Sequence, residues 1–298
     1  MNRIHHLVWN RALGVMQVVS ELANGTAGGG ARTTVRRRLR RSPLALACAS
    51  VLGISSVLAA MPASAANVVI PTTTTPSDLT VDTSGPGNIS QTGPVTVGGT
   101  TSLTAGGTIT LTNASNDFTG AVSATGSNID LTNSNALVLG TFNIAGNTAL
   151  TAGGTITQTG ALSTSSLSGS AVGDVTLSNA GNAIATLGSF SAANFSLNNA
   201  QALTVNGPLT TTGGTGTISL TTTSGALTVN TALAGSAVSL AGATGIMLNN
   251  NVSAGGAQTY HSAVTLGADT TLASSGSGAI SFDSTVNGAY ALTVNTSG

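Results

Sequence analysis

Residues 102–113 read SLTAGGTITLTN, and residues 149–160 read ALTAGGTITQTG. A Gly-Gly pair between two Thr-rich apolar strips returns after 47 residues. Self-similarity at a fixed spacing is the mark of a repeat architecture. Within the first copy, Leu103, Ile109 and Leu111 stand among Thr104, Thr108, Thr110 and Thr112. Such alternation gives one apolar and one polar face, the pattern of a half-buried β-strand. Thr and Ile are β-branched and favour extended backbone. The pairs Gly106-Gly107 and Gly153-Gly154 are expected to supply positive φ at tight corners.

Similar strips begin at Ile129, Val175, Phe195, Ile218 and Val238. Their central leucines, with that of the first strip, are Leu111, Leu131, Leu177, Leu197, Leu220 and Leu240, with steps of 20, 46, 20, 23 and 20. Reading 46 as two turns gives a unit of about 20–23 residues. One such unit cannot bury its apolar face, but stacked units can, each strand pairing with its counterpart one turn away. The expectation is an all-β protein, a right-handed parallel β-helix (β-solenoid). A β-sandwich repeat array is the alternative. The strip ends LTNASN, LTNSN, LSNAGN, LNNAQ and LNNNV place Asn at one recurring point, where stacked amides can bond along the axis. Residues 67–298 hold 53 Leu, Ile, Val and Phe among 232, about 23%, which argues against disorder. They have room for roughly ten turns, a rod on the order of 50 Å long.

The segment 1–66 differs in kind. All eight positive side chains are Arg, at 3, 11, 32, 36, 37, 38, 40 and 41, and the chain has no Lys. The region after Arg41 carries Asp78, Asp82, Asp117, Asp130, Asp174, Asp269 and Asp283 against no cation. RRRLRR at 36–41, an apolar run over 43–60 and MPASAA at 61–66 make a secretory signal peptide with cleavage after Ala65 or Ala66. Its n-region spans 1–42. The Arg cluster is explained by targeting, not by nucleic acid. Ile4, Leu7, Val8, Val15, Val18, Val19 and Leu22 fall near helical spacing, so a helical, amphipathic leader is expected. Residues 67–98, rich in Thr and Pro, read as a start or cap segment, and 99–298 as solenoid repeats that break off in mid-pattern.

Asn2, Arg3, Leu7, Val8, Trp9, Asn10, Arg11, Ala12, Leu13, Gly14, Ser20, Glu21 and Leu22 resemble the extended signal peptide region (ESPR) of large type V secreted proteins of Gram-negative bacteria. These are autotransporters, trimeric adhesins and filamentous-haemagglutinin-like exoproteins. His5-His6 departs from the pattern, where an aromatic and a basic residue are usual. Residues 258–298 resemble the repeats of filamentous-haemagglutinin-like and autotransporter passengers. The resemblance implies a secreted or surface-displayed rod used in adhesion. It implies as partners the Sec machinery, a fused or separate outer-membrane β-barrel translocator, and host or neighbouring-cell glycans or proteins. Neither an aromatic-rich set of membrane strands nor an Asn-Pro secretion domain is found in the sequence, so a partial passenger is a second reading.

Little chemistry is expected. The region after 66 has no Cys, which excludes thiol catalysis and cysteine metal sites there. Its single histidine is His261, with Ser262 and Asp269 nearby in sequence and no nucleophile-elbow motif. A β-helix polysaccharide-degrading enzyme remains an alternative that would need two Asp on adjacent turns of one face. The expectation is a non-enzymatic chain with no cofactor and no metal. Gly213-Gly214 in GGTGT has no following Lys and is not a phosphate loop.

Overall fold

The computed structural model describes residues 66–83 and 85–297, and the backbone of His5–Asn10 and Val15–Ser20. The two N-terminal strands pair antiparallel, His5 opposite Ser20 and Asn10 opposite Val15. A helix was expected here. Strand is the outcome for these two stretches, in keeping with the β-branched Val8, Val15, Val18 and Val19. Asn2, Arg3, Arg11, Ala12, Leu13, Gly14, Glu21, Leu22 and Ala65 lie outside the described residues. Ala66 precedes the first solenoid strand, Val68–Ile70. No described helix is long and apolar enough to cross a membrane.

The described residues from 66 onward form a parallel β-solenoid. One column of register partners runs Val68, Ile89, Ile109, Ile129, Thr148, Leu167, Leu187, Val205, Val229, Leu248, Leu266 and Gly288. Eleven steps lead from Val68 to Gly288, so a turn averages about 20 residues, the short end of the expected unit. From Phe195 onward each turn has three short strands. Phe195–Asn199, Leu203–Val205 and Leu209–Thr211 pair in order with Thr217–Thr222, Leu227–Val229 and Leu233–Gly235. Earlier, Leu137–Ala152 runs as one strand of 16 residues and pairs in three parts, one with Ile156–Gln158 and two with Leu162–Ala171. All pairing among the strands after residue 66 is parallel. A sandwich is built from antiparallel sheets, so that alternative is excluded.

The inner face is a continuous stack. Leu197, Leu220 and Leu240 are in register and buried, and Tyr260 follows them. Each fully buried Leu contributes roughly 1.5–3 kcal/mol. Successive side chains point to opposite sides of a strand, so the residues between them face outward.

The register revises the leucine count. Leu131 stacks on Leu111 and Leu150, whereas Leu177 stacks on Leu197. The step of 46 therefore joins two different columns and is not a pair of longer turns. The doubled phrase is shifted in the same way. Leu103 lies in the column of Val81, Ala124 and Phe142, but its counterpart Leu150 lies in that of Leu131 and Leu111. At the mean turn length, the interval from Leu103 to Leu150 is about two and a third turns. The phrase marks a strand and its corner, and a similar phrase serves on more than one face.

The Gly-Gly pairs have a different cause from the one expected. None of Gly106, Gly107, Gly153 and Gly154 has positive φ. They are sites of close approach instead. A Cβ on Gly106 would stand 2.4 Å from the carbonyl oxygen of Gly85, and one on Gly153 would stand 1.9 Å from that of Ser134. A side chain there would force the turns apart. Positive φ is used at Gly213 and Gly214, at 66° and 67°, in the corner that lengthens the turn between Val205 and Val229 beyond the mean.

One core position carries a misfit. Thr101 sits between Leu79 and Val122 in its column and is 1% exposed, and its hydroxyl has no partner. Thr101→Val keeps the shape and removes the orphan group. It is expected to stabilise the protein by about 1 kcal/mol, read as a higher denaturant midpoint at unchanged m. Leu111→Asp, at a fully buried position, is expected to destabilise it by several kcal/mol in the same assay.

Candidate functional site

The corners are held by amide clamps. Asn116 is buried, and its Nδ2 donates to the Leu111 carbonyl at 3.1 Å, the Thr132 carbonyl at 3.2 Å and Gln91 Oε1 at 2.9 Å. Its Oδ1 accepts from Gln91 Nε2 at 2.8 Å and from the Val95 backbone at 2.9 Å. Asn182 repeats the arrangement with Leu177, Asn198, Gln158 and Leu162 at almost the same distances. A second buried pair bonds back to the strand behind it. Asn133 Oδ1 accepts from the Phe118 N–H, and Asn199 Oδ1 from the Ile184 N–H, both at 2.8 Å. The recurrent Asn of the strip ends therefore serves different local tasks. A ladder of stacked amides does occur, on the outside, where Asn230 donates to Asn206 at 2.8 Å and Asn249 donates to Asn230 at 2.6 Å.

Three carboxylates also act as corner caps. Asp78 accepts from the Thr100 N–H at 2.6 Å and from the Thr100 hydroxyl at 2.9 Å. Those two bonds, the backbone one foremost, hold its pKa below the usual carboxylate value. Asp269 accepts from the Ala291 N–H at 2.9 Å, and Asp174 accepts from the Asn194 amide at 2.6 Å. Each links one turn to the next. No group of three or more His, Cys, Asp or Glu able to hold a metal occurs among the described residues.

Outside, the faces carry hydroxyls. Thr176, Ser196, Ser219, Ser239, Thr259 and Ser281 are successive register partners on one face. Neighbouring rungs lie about 4.8 Å apart, so the hydroxyls form a regular column. A shallow polar groove of about 320 Å³ lies elsewhere on the rod, lined by Thr100, Ser102, Ser123, Thr141 and Thr159 among others.

The hydroxyl column meets the titratable groups at one place. His261 Nδ1 lies 2.7 Å from Asp283 Oδ2, and His261 Nε2 lies 3.1 Å from Ser239 Oγ. The side chains of His261 and Asp283 are 45% and 53% exposed. Directly beneath, on the inner face, Tyr260 and Phe282 stack with ring centroids 4.9 Å apart. Tyr260 and His261 are adjacent, as are Phe282 and Asp283, so the inner stack fixes the spacing of the outer pair. Burial pushes the Tyr260 phenol above its ordinary pKa, and its hydroxyl donates to Gln258 at 2.8 Å.

The partners of His261 are not the residues near it in sequence. Ser262 accepts from the Gly242 N–H, and Asp269 caps the Ala291 corner. The true partners stand 22 residues before and 22 after. That spacing is a signal only once the local turn length is known.

Residues 1–52 match a family model described as the extended signal peptide of the type V secretion system. Residues 58–125 and 126–191 match two copies of a model described as repeats of unknown function. No curated protein and no solved structure matches the chain. The leader marks the chain for export by a type V route. The matched repeats share a physical basis with the clamps. Gln91 and Asn116 lie in the first copy, and Gln158 and Asn182 lie at nearly the same places in the second.

Asn182→Ala would leave the Gln158 side chain, the Leu162 N–H and two carbonyls short of partners. It is expected to cost about 3 kcal/mol, whereas Asn230→Ala on the exposed ladder is expected to stay within about 0.5 kcal/mol. Equilibrium unfolding of both variants checks the contrast.

Proposed function

We propose that this chain is the rod-forming passenger of a type V secreted adhesin, displayed at the cell surface or released. The observation that carries the reading is the conjunction of a type V leader at 1–52 with a parallel solenoid of some eleven turns. In this reading the Sec machinery takes the chain across the inner membrane. An outer-membrane β-barrel, fused or separate, then passes it outward. The solenoid suits that route, because its turns pair only with their neighbours and can form one after another as they emerge.

The surface supports recognition of neutral, hydroxyl-rich partners such as cell-surface glycans. Ser, Thr and Asn offer donors and acceptors along each face, and the chain beyond Arg41 has no Lys or Arg. Phosphate-rich partners need cationic side chains to replace their counterions, so a nucleic acid is disfavoured. Likeness of 258–298 to filamentous-haemagglutinin-like repeats favours adhesion over a purely mechanical stalk.

The test is expression of the full chain in a Gram-negative host that supplies the translocator, with N-terminal sequencing of the mature form. The expected product begins at Ala66 or Asn67, is cleaved by protease added to intact cells, and raises attachment of those cells to immobilised glycans. An uncleaved leader with the chain retained in the cytoplasm would overturn export. Surface display without added attachment would overturn adhesion.

A further inference from the structure

We propose that Ser239, His261 and Asp283 form a nucleophilic site that cleaves carboxylic esters carrying a small acyl group, presented on a neutral, hydroxyl-rich polymer. The three residues come from three consecutive turns, within the strand Ala237–Gly242 and, for the other two, immediately after Gln258–Tyr260 and Ile280–Phe282. Their connectivity is that of an activated serine. Asp283 Oδ2 at 2.7 Å from His261 Nδ1 fixes the imidazole with its proton on Nδ1. Nε2, 3.1 Å from Ser239 Oγ, is then free to accept the serine proton.

The surroundings explain why this serine differs from the others of its column. Ser196 and Ser219 have the same outward setting, but the His261 ring reaches Ser239. The Tyr260–Phe282 stack joins the two strands that end just before His261 and Asp283. Backbone amides in the strands are committed to the parallel ladder, so a developing oxyanion must find other donors. Ser219 and Thr259, the register partners on either side of Ser239, carry hydroxyls on the same face one rung away and are the groups assigned that role. The open face admits an extended polymer, and the same hydroxyl column can bond it along the axis. Absence of cations beyond Arg41 selects against anionic polymers.

In the reaction, Ser239 Oγ forms a bond to the acyl carbon while its proton passes to His261 Nε2. The tetrahedral intermediate collapses with cleavage of the carbon–oxygen ester bond, and the departing alkoxide takes that proton. Water then attacks the acyl-serine, giving its proton to His261, which returns it to Ser239 as the carboxylic acid leaves. Asp283 orients the ring throughout. No oxidant or further reactant is required.

A fluorophosphonate probe tests the site on the purified full chain, with peptide mass spectrometry to locate the adduct and p-nitrophenyl acetate as the turnover substrate. In the labelling step the oxygen–phosphorus bond forms, the phosphorus–fluorine bond breaks and the serine proton goes to His261. Ser239 is expected to label about 100-fold faster than Ser196, the low end of what a positioned general base supplies, because the site is open to water. His261→Gln is expected to remove that advantage, and Ser239→Ala to abolish both the adduct and the acetate hydrolysis. Asp283→Asn is expected to lower both rates, and Ser253→Ala, at an exposed serine of a different register column, to change neither. All four side chains lie on the outer face, and circular dichroism establishes that each variant is folded. Labelling of Ser239 no faster than Ser196, or an unchanged rate in His261→Gln, would overturn the proposal. Either result leaves the export reading untouched, since the site is argued from geometry alone.

Discussion

Every turn of this chain must return over the one before it at the spacing of a parallel ladder, about 4.8 Å. The rest of the structure follows from that constraint. A residue whose Cβ would meet the carbonyl of the neighbouring turn has to be glycine, as Gly106 and Gly153 are. An inward side chain packs on the ones directly above and below it, as Leu197, Leu220 and Leu240 do. A corner that leaves the ladder has to find partners for its backbone groups. Asn116 and Asn182 answer this with donors and acceptors drawn from adjacent turns.

Clamps of this kind suit a rod whose rungs are otherwise interchangeable. Stacked aliphatic side chains are non-directional, so a slip of two residues would keep the apolar face inward. A buried amide with its donors and acceptors all met does not tolerate one, because a slipped turn leaves them unpaired. The acidic residues share in the same task. Asp78, Asp174 and Asp269 each bind a group one turn away, so a region with no compensating cation still places carboxylates usefully. The outer faces are then free to carry hydroxyls, and one of them carries the Ser239–His261–Asp283 line.

The fold was largely legible because alternation and repetition are local properties of the chain. Leu103, Ile109 and Leu111 announced a strand, and the recurrence of such strips announced a solenoid. Angular position was not legible. Two near-identical phrases occupy different faces, since the faces pose similar packing problems and sequence similarity does not distinguish them. The Gly-Gly pairs were identified as corners, but their cause is contact between turns, which the single-turn reading could not contain. The leader showed the limit of periodicity, as Val15, Val18 and Val19 fit a helical stripe and also favour extended backbone, and Val15–Ser20 is a strand. His261 was visible as an isolated histidine. Its partners became visible only with the register, because each lies a full turn away.

The claim on which all of this rests is the register itself, and its sharpest point is the lengthened turn that pairs Thr204 with Thr228. Both side chains face outward on adjacent rungs, at a separation that a disulfide can bridge. With Cys48 changed to Ser, the double variant Thr204→Cys/Thr228→Cys is expected to form an intramolecular disulfide rapidly under mild oxidation. Thr204→Cys/Ser224→Cys, spaced at the mean turn length, is expected not to. A disulfide in the second variant but not the first would contradict the register.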